Sequence, residues 1–297
     1  MNKNKIAVID LSWIMHRYRH AYDSLSCTLN GKTIPTGHIY GTYTFVKGIS
    51  QQYKKVILAV DSNSTYRKEI LPTYKSNRKK SSGNEYEDYD IHQDTNDILA
   101  LCCSLGNVYY IKEEEFEADD IIGTLIRQAD TTWDFYFHDD DILQNIGQYN
   151  LCVSFGKDIY IGPVADRRSH IVDKYGIDKD YLPLLWKIVK GDSGDCIPIG
   201  IERFPSKILQ QLCLNECFND NNNVSFEQCV DVILQYKNYS DKMKETVKQL
   251  QDKNSELYKK LEMNYKLVKP VYLISLRRQK MEVDTASIFS KYNIRNV

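Results

Sequence analysis

The sequence predicts an α/β protein with a mostly parallel central sheet flanked by helices and a smaller C-terminal helical lobe. Short runs of β-branched and aromatic residues recur through the first half of the chain and alternate with longer helix-like stretches. Beyond about residue 165 the strand pattern fades and helix-like stretches follow one another. The chain has 297 residues, of which 42% are hydrophobic, so it can build one large α/β core with an added lobe.

The elements are predicted in the following order. Strands lie at 5–9, 56–60, 107–111, 133–137 and 151–155. The first helices lie between them, at about 38–53, 90–105 and 118–130. Later helices lie near 180–190, 204–217, 225–236 and 240–264. The last of these is polar, with apolar residues at roughly helical spacing. This spacing predicts an amphipathic helix packed on the body, with a short coiled coil as the alternative.

Acidic residues stand where strands of such a sheet end. Asp10 ends the first apolar run and Asp61 ends the second, while Asp139 and Asp141 follow the fourth. Ligands of open parallel sheets bind at the carboxyl ends of the strands, so these residues are expected to meet although they lie far apart in sequence. Carboxylates brought together in this way can coexist around divalent cations. The pattern therefore predicts a metal-dependent phosphodiesterase.

Two further acidic clusters lie elsewhere. Glu117, Asp119 and Asp120 open the helix at 118–130, where acidic residues also have the ordinary role of stabilising the helix dipole. Asp192 and Asp195 sit in a glycine-containing segment that is also compatible with a plain turn. Each cluster alone has a purely structural explanation, and the joint pattern supports the metal site.

A basic segment follows Asp61. The region from 66 to 90 is basic first and polar afterwards, and its position in the chain places it over the presumed site. Lys75 and Arg78 are candidates to steady the scissile phosphate and its developing charge, and Arg67 is a further candidate of the same kind. Solvated surface residues are the structural alternative for all three.

Composition excludes several classes of protein. No run approaches the roughly 20 apolar residues of a membrane span, and the N-terminus has no apolar signal segment. The eight cysteines include no Cys-x-x-Cys pair, which predicts reduced thiols in a cytoplasmic protein. Serine hydrolases, NTPases and dinucleotide enzymes are disfavoured, because Gly-x-Ser-x-Gly, P-loop and Gly-x-Gly-x-x-Gly motifs are missing.

Taken together, these motifs resemble those of the 5′-nucleases: phage 5′–3′ exonucleases, ribonuclease H-type primer-removal enzymes, the 5′-nuclease domain of bacterial DNA polymerase I and flap endonucleases. Glu117-Ala-Asp-Asp120 matches the family's Glu-Ala-Asp-Asp. Asp139-Asp-Asp141-Ile-Leu-Gln144 resembles its Asp-Lys-Asp-Leu-x-Gln, and 190–198 resembles its Gly-Asp-x-Ser-Asp-Asn-Ile-Pro. Tyr66-Arg67 and Tyr74-Lys-x-x-Arg78 resemble the arch-base sequence. The likeness runs from Asp10 to about residue 212.

The resemblance implies a PIN-like 5′-nuclease core at 1–185, with an arch segment at about 66–95, and a helix-hairpin-helix DNA-binding lobe with a helical tail at 186–297. It also implies two Mg²⁺ or Mn²⁺ ions. Ligands or near-ligands of the first and shared positions would be Asp10, Asp61, Glu117, Asp119, Asp120, Asp139 and Asp141. Those of the second would be Asp192 and Asp195. Lys75 and Arg78 map to the catalytic cations. The residues implied to bind nucleic acid are Arg67, Lys75, Arg78, Lys79, Gly200 and Lys207.

The helix-hairpin-helix motif departs from that of relatives. The segment Ile199-Gly-Ile-Glu-Arg-Phe-Pro205 keeps one glycine and has Phe204 near where a small residue is expected. Glycines at this position let backbone amides approach phosphate or a monovalent cation such as K⁺. We therefore expect a weaker grip on the downstream duplex, and the loss of glycines argues against the K⁺ site.

The resemblance further implies branched or nicked DNA, or an RNA–DNA hybrid, as the substrate, and primer removal in replication as the role. The protein partner would be a single-strand-binding protein, a clamp or a polymerase. The tail at 270–297 is a candidate binding segment for this partner. The chain would be a monomer. Usage rich in Asn, Lys, Ile and Tyr is compatible with a phage source. Two alternatives stay open: a PIN-like ribonuclease acting on single-stranded RNA, and a non-catalytic nucleic-acid-binding module with the same fold.

Overall fold

The computed structural model describes residues 4–63, 65–77, 89–129, 132–139, 142, 151–155, 159–163, 175–176, 184–218, 224–282 and 284–294. Its central feature is a six-stranded sheet with the strand order β5-β4-β1-β6-β7-β8. The strands are β1 (Ile6–Asp10), β4 (Lys55–Val60), β5 (Val108–Lys112), β6 (Trp133–Tyr136), β7 (Leu151–Phe155) and β8 (Ile159–Pro163). All neighbours are parallel except β7 and β8. The predicted fold class and the five predicted strands are confirmed.

A small hairpin lies outside this sheet. Its strands are β2 (Ser26–Leu29) and β3 (Lys32–Pro35), and they pair antiparallel across Asn30 and Gly31. Both turn residues have positive φ, which asparagine and glycine tolerate better than other residues. The sequence analysis missed this hairpin, although Asn-Gly between two short strands is a known hairpin signal.

The helices lie on both faces of the sheet and in a separate C-terminal group. They are α1 (Leu11–Ala21), α2 (Gly37–Ser50), α3 (Thr65–Ile70), α4 (Thr95–Cys103), α5 (Ala118–Gln128), α6 (Leu184–Lys190), α7 (Ser206–Cys213), α8 (Phe226–Gln235), α9 (Asp241–Lys248), α10 (Glu256–Val268) and α11 (Thr285–Lys291). No helix in the described ranges is long and apolar enough to cross a membrane.

The core has two layers, one on each face of the sheet, because successive side chains of a strand point to opposite faces. In β1, Val8 packs with α5 and the C-terminal helices, whereas Ala7 and Ile9 pack with α1, α2 and α4. The neighbouring strand β4 divides in the same way, with Ile57 on one side and Leu58 on the other. Side chains of successive strand residues point to opposite faces, so a strand covered on both sides reads as a continuous apolar run.

The single helix predicted at 240–264 is wrong, because two helices occupy this region. α9 ends at Lys248, and a 3-10 turn follows at Gln249–Gln251 before α10 begins. Ser255 caps α10 by accepting a hydrogen bond from the backbone N–H of Tyr258 at 3.1 Å. The intervening Asp-Lys-Asn-Ser sequence contains three residues whose side chains compete for backbone hydrogen bonds, which favours a helix boundary.

After α10 the chain returns to the α/β core. Residues 269–282, which we call the C-terminal strap, run past α5 and then past the edge strand β5. The backbone of Gln279 pairs with that of Tyr110 in β5, and α11 then packs against α4. The tail is therefore helical at its end, as expected, and contacts the core. The domain boundary at residue 185 stays a prediction.

Candidate active site

Three acidic residues follow the carboxyl ends of neighbouring parallel strands. Asp10 ends β1 and caps α1, where its Oδ1 accepts a hydrogen bond from the backbone N–H of Trp13 at 3.1 Å. β4 and β6 flank β1 on either side, and Asp61 and Asp139 lie just beyond their ends. Burial, followed by the negative charges of Asp61 and Asp139, raises the pKa of Asp10 to about 7. The three carboxylates therefore share one site.

Helix α5 adds a fourth carboxylate to this site. The backbone N–H of Ala118 donates to Oδ1 of Asp61 at 2.8 Å, which holds the start of α5 beside the end of β4. Asp119 lies in this first turn. Burial raises its pKa well above the ordinary value, and the charge of Asp139 raises it further. The charge of Asp10 also raises the pKa of Asp119, because the two carboxylates lie near each other.

Lys75 supplies positive charge to the same site. Its Nζ lies 2.8 Å from Oε1 of Glu117, the residue that precedes α5. Although burial acts in the opposite direction, the charges of Lys75 and Arg67 lower the pKa of Glu117. Lys75 also lowers the pKa of both Asp10 and Asp119. Lys75 therefore lies among the acidic groups, and its contact with a substrate phosphate stays a prediction.

Tyr74 links these groups to the second acidic cluster. Its hydroxyl donates to Oε2 of Glu117 at 3.1 Å and lies 3.4 Å from Oδ2 of Asp195. The backbone N–H of Lys75 donates to the carbonyl of Asp195 at 3.0 Å. Tyr74 belongs to the arch-base motif, but the sequence does not mark it as a site residue, because a buried tyrosine in a basic loop has no distinctive sequence signal.

Asp192 belongs to the same loop as Asp195 but has a different partner. Its Oδ2 accepts from Nζ of Lys187 in α6 at 2.6 Å, and its Oδ1 accepts from the backbone N–H of Gly194 at 2.9 Å. These contacts lower the pKa of Asp192, despite the opposing effect of burial. Gly191 begins the loop with a φ of +72°, and a Cβ there would lie 2.5 Å from the carbonyl oxygen of Ile197. Sequence reasoning missed Lys187, since a helix lysine is usually solvated.

Arg67 and Asp120 pair with each other, which corrects the expectation that one binds nucleic acid and the other a metal. Nη1 and Nη2 of Arg67 donate to the two carboxylate oxygens of Asp120 at 2.6 and 2.8 Å. Arg67 is only 3% exposed, so its guanidinium is not accessible to a nucleic acid. Asp120 also accepts backbone N–H bonds from Glu117 at 3.1 Å and from Val271 at 2.8 Å. Both of its oxygens are thus engaged inside the protein.

The helix-hairpin-helix region also differs from expectation at one position. The N–H of Gly200 donates to the carbonyl of Val189 at 2.9 Å, and an added Cβ would lie 2.3 Å from the carbonyl oxygen of Ile188. Gly200 is therefore needed for close packing, and its N–H is not available to a phosphate. Phe204 is buried against Tyr239 as part of the core of this lobe. Lys207 is exposed on α7 and remains a candidate for nucleic-acid binding.

An open polar cleft of about 830 Å³ begins at the carboxylate edge. It is bounded by the carboxyl ends of β4 and β5, by α3 and by the first residues of α4. Its polar walls include Ser62, Asn63, Lys68, His92 and Lys112.

Three other predicted site residues, Arg78, Lys79 and Asp141, lie outside the described residues.

The donor set fits hard divalent cations. Asp10, Asp61, Asp119 and Asp139 offer carboxylate oxygens, which Mg²⁺ and Mn²⁺ prefer, and their mutual effects on pKa show repulsion that a cation would relieve. Within the described ranges, no three acidic, histidine or cysteine side chains are arranged so that they could hold a metal ion as they stand. The carboxylates share an edge of the sheet without closing on one point.

Comparison with known proteins agrees with this architecture. The family described as 5′-3′ exonuclease, N-terminal resolvase-like domain, matches residues 5–176, which is more than half of the chain. DNA polymerase I of Caldicellulosiruptor bescii is 29% identical over 216 residues. That match covers 70% of this chain but 24% of the polymerase, so the chain spans about a quarter of its relative's length.

Two solved structures share the fold over most of the chain. The 5′-exonuclease of bacteriophage T5 with bound zinc has a TM-score of 0.62 at 18% identity, covering 89% of each chain. A bacteriophage T5 flap endonuclease in a complex with DNA and metal ions has a TM-score of 0.53 at 17% identity, covering 88% of this chain and 89% of that one. The resemblance read from the sequence is confirmed: the chain belongs to the 5′-nuclease family of 5′–3′ exonucleases.

Proposed function

We propose that the protein is a divalent-metal-dependent, structure-selective 5′-nuclease, which acts as a 5′–3′ exonuclease or flap endonuclease. It hydrolyses phosphodiesters near the 5′ end of branched or nicked DNA, or of RNA in an RNA–DNA hybrid. The observation that carries this proposal is the convergence of Asp10, Asp61, Asp119 and Asp139 beside Lys75 at one edge of the sheet. The role we assign is primer removal during replication.

The acidic residues would hold Mg²⁺ or Mn²⁺ in two groups. The first group consists of Asp10, Asp61, Glu117, Asp119 and Asp139, together with Asp141. The second consists of Asp192 and Asp195. When bound, two such ions activate water and stabilise the departing 3′-oxygen. We leave Asp120 out of the ligand set, because both of its oxygens accept hydrogen bonds from Arg67 and the backbone.

The side chains of this protein then perform the remaining tasks. The ammonium of Lys75 would bind the scissile phosphate and balance its developing negative charge, and Arg78 would assist. The hydroxyl of Tyr74 holds Glu117 and Asp195 in a fixed relation, so the two groups of ligands keep their positions. The helical lobe, with Lys207 exposed, would contact the duplex through its phosphates, which gives little sequence preference.

The matched proteins support this assignment. One is named DNA polymerase I, and the two phage structures are named as a 5′-exonuclease and a flap endonuclease. One of the two phage structures contains bound zinc, and the other contains DNA and metal ions. The choice of Mg²⁺, the preference between exonuclease and flap cleavage, and the replication role are our proposals.

A nuclease assay tests the assignment. A labelled 5′-flap DNA, incubated with and without Mg²⁺, should be cut only with the metal. Asp139→Asn and Asp192→Asn should abolish cutting while leaving DNA binding largely intact, because each removes a ligand charge without changing the fold. Full activity of both variants would refute the proposal. Preferential cutting of an unstructured RNA of equal length would favour a single-strand ribonuclease instead.

A further inference from the structure

The C-terminal strap carries a basic cluster to the edge strand β5. Gln279 forms two backbone hydrogen bonds with Tyr110 of β5, at 3.1 and 2.8 Å. Because this pairing is antiparallel, Lys280 lies beside the start of β5, and Arg278 and Arg277 follow the strand towards its end. The cluster, which we call the basic patch, consists of Lys54, Lys55, Arg277, Arg278 and Lys280.

The ring of Tyr109 is the centre of the basic patch. Nζ of Lys280 lies 4.8 Å from the ring centroid, and Nζ of Lys55 lies 5.4 Å from it. Burial lowers the pKa of Lys55, and the nearby charges of Arg278 and Lys54 lower it further. An open cleft of about 500 Å³ runs along the strap at 277–280. Several positive charges therefore meet at one accessible place.

These positive charges have no acidic partners in the part of the chain that the structure describes. No described carboxylate lies within ion-pair distance of Lys54, of Lys55 in β4 or of the three basic strap residues. Arg277, Arg278 and Lys280 are exposed. Like charges held together repel one another, so an anionic ligand would be attracted to this surface.

The lysines of the basic patch that lie at the Tyr109 ring are separated from the catalytic edge. Lys55 is the first residue of β4, whereas Asp61 follows the last. A strand of this length separates the two ends by about 20 Å, because each residue advances the chain by about 3.3 Å. A phosphate at the carboxylates thus lies at the opposite end of β4 from Lys55.

We propose that the basic patch binds an acidic peptide segment of a partner protein. A single-stranded nucleic acid fits the surface less well, because both described contacts of the Tyr109 ring are ammonium groups and a base would have to displace them to stack. The charges also converge on one ring and do not form a track away from the active site. Ile274, a fully exposed apolar residue on the same strap, offers a contact for a hydrophobic residue of the peptide. This interaction goes beyond the nuclease activity and does not depend on it.

Fluorescence anisotropy with a short labelled peptide rich in Asp and Glu tests the proposal. The full-length protein should bind this peptide, and a matched peptide with Asn and Gln in place of the acids should not bind. The double variant Arg277→Glu, Arg278→Glu should weaken binding about tenfold or more, because each reversal replaces attraction by repulsion. The control variant Lys242→Glu, Lys248→Glu changes two exposed lysines of α9 and should bind like the wild type.

The same samples separate this inference from the proposed function. The Arg277→Glu, Arg278→Glu variant should keep wild-type thermal stability and cut the 5′-flap DNA at the wild-type rate. No binding of the acidic peptide by the wild type would overturn the inference, and so would equal binding by both double variants. A loss of flap binding in the strap variant would show that the basic patch contacts nucleic acid. Absence of flap cutting by the wild type would refute the nuclease assignment alone.

Discussion

At the scale of single residues, Asp119 and Asp120 show how adjacent identical side chains acquire different tasks. Successive helix residues point about 100° apart, so neighbours in the first turn of α5 face different surroundings. Asp119 faces the strand-end carboxylates and has a raised pKa, while Asp120 faces Arg67 and two backbone N–H groups. Asp119 is thus a candidate metal ligand, whereas Asp120 holds α5 against Arg67 and the backbone at Val271.

Arg67 joins three segments through its guanidinium. It binds Asp120 of α5 with two hydrogen bonds, and its Nε donates to the carbonyl of Leu267 in α10 at 3.1 Å. Arg67→Ala should lower the free energy of unfolding by about 3 to 5 kcal/mol, because it leaves Asp120 buried without its counter-ion. Urea unfolding measures the loss. Lys68→Ala, at the exposed neighbouring position, should cost less than about 0.5 kcal/mol, and equal losses for both would contradict this role.

Asp10 makes the stability of the metal-free protein depend on pH. Its pKa rises from 3.8 to about 7 on folding, so the folded state holds the proton more tightly than the unfolded state. Stability in a chelator should therefore fall by a few kcal/mol as pH increases between about 4 and 7. Asp10→Asn should make this decline shallower, because Asp119 also has a raised pKa and keeps part of it, and the variant should be more stable than the wild type above pH 7, as measured by urea unfolding. Asp231→Asn, an exposed change in α8, should keep the wild-type slope, and a decline in Asp10→Asn as steep as that of the wild type would contradict the assignment.

At the scale of elements, α11 closes a buried polar network on the other face of the sheet. The Tyr292 hydroxyl, just beyond the helix, donates to Oδ1 of Asp94 at 2.6 Å and lies 2.7 Å from Oδ2 of Asp97. Asp94 also contacts Nε2 of His38 at 2.9 Å and the hydroxyl of Tyr89 at 2.8 Å. These hydrogen bonds lower the pKa of Asp94 although burial opposes them. Hydrogen bonds therefore connect the C-terminal end of α11 with α2, α4 and the end of the arch segment.

Removing one hydroxyl should loosen this connection. Tyr292→Phe should lower the free energy of unfolding by about 1 to 3 kcal/mol, because Asp94 loses a buried donor. The loss should be full at neutral pH and shrink in acid, since a lowered pKa contributes stability above about pH 4 that disappears as Asp94 is protonated. Unfolding curves at neutral and acidic pH measure both effects. Tyr22→Phe, at an exposed position, should be nearly neutral, and a pH-independent loss in Tyr292→Phe would argue against the network.

At the scale of the whole molecule, the sheet separates two charged surfaces. The carboxylates gather where β1, β4 and β6 end, and the basic patch lies at the start of β4 and along the edge strand β5. This separation explains how a chain with a net charge of −1 can bring together acidic residues for metal binding and still present basic surface to anionic partners. The overall charge balance therefore says little about binding, because opposite charges occupy different edges.

Metal binding should stabilise the whole fold. At an Mg²⁺ concentration about 100 times its dissociation constant, the free energy of unfolding should rise by about 2.7 kcal/mol, which corresponds to a rise of about 4 °C in the melting temperature. Thermal melts with Mg²⁺ and with a chelator measure this shift. Asp139→Asn should reduce it, since an exposed carboxylate of the site is lost without disturbing the core. An equal shift in the wild type and this variant would mean that Mg²⁺ binds elsewhere.

Local patterns in the sequence are enough to predict the central sheet and to propose which acidic residues form the site. Apolar runs predict buried strands, and a carboxylate after each run lies at the same sheet edge whenever the strands are parallel, so Asp10, Asp61 and Asp139 could be brought together without a structure. The resemblance to the family motifs assigns the remaining acidic residues to the two metal positions. These features depend on local patterns, which a single sequence contains.

Only the tertiary structure decided which side chains pair. Three sets of contacts join segments that are distant in the chain. Arg67 binds Asp120, Tyr74 contacts both Glu117 and Asp195, and the strap pairs with β5. A charged residue in a sequence looks the same whether it faces water, a substrate or a buried partner. Which of these it meets depends on how the elements pack, because packing alone sets the distance between segments and the degree of burial.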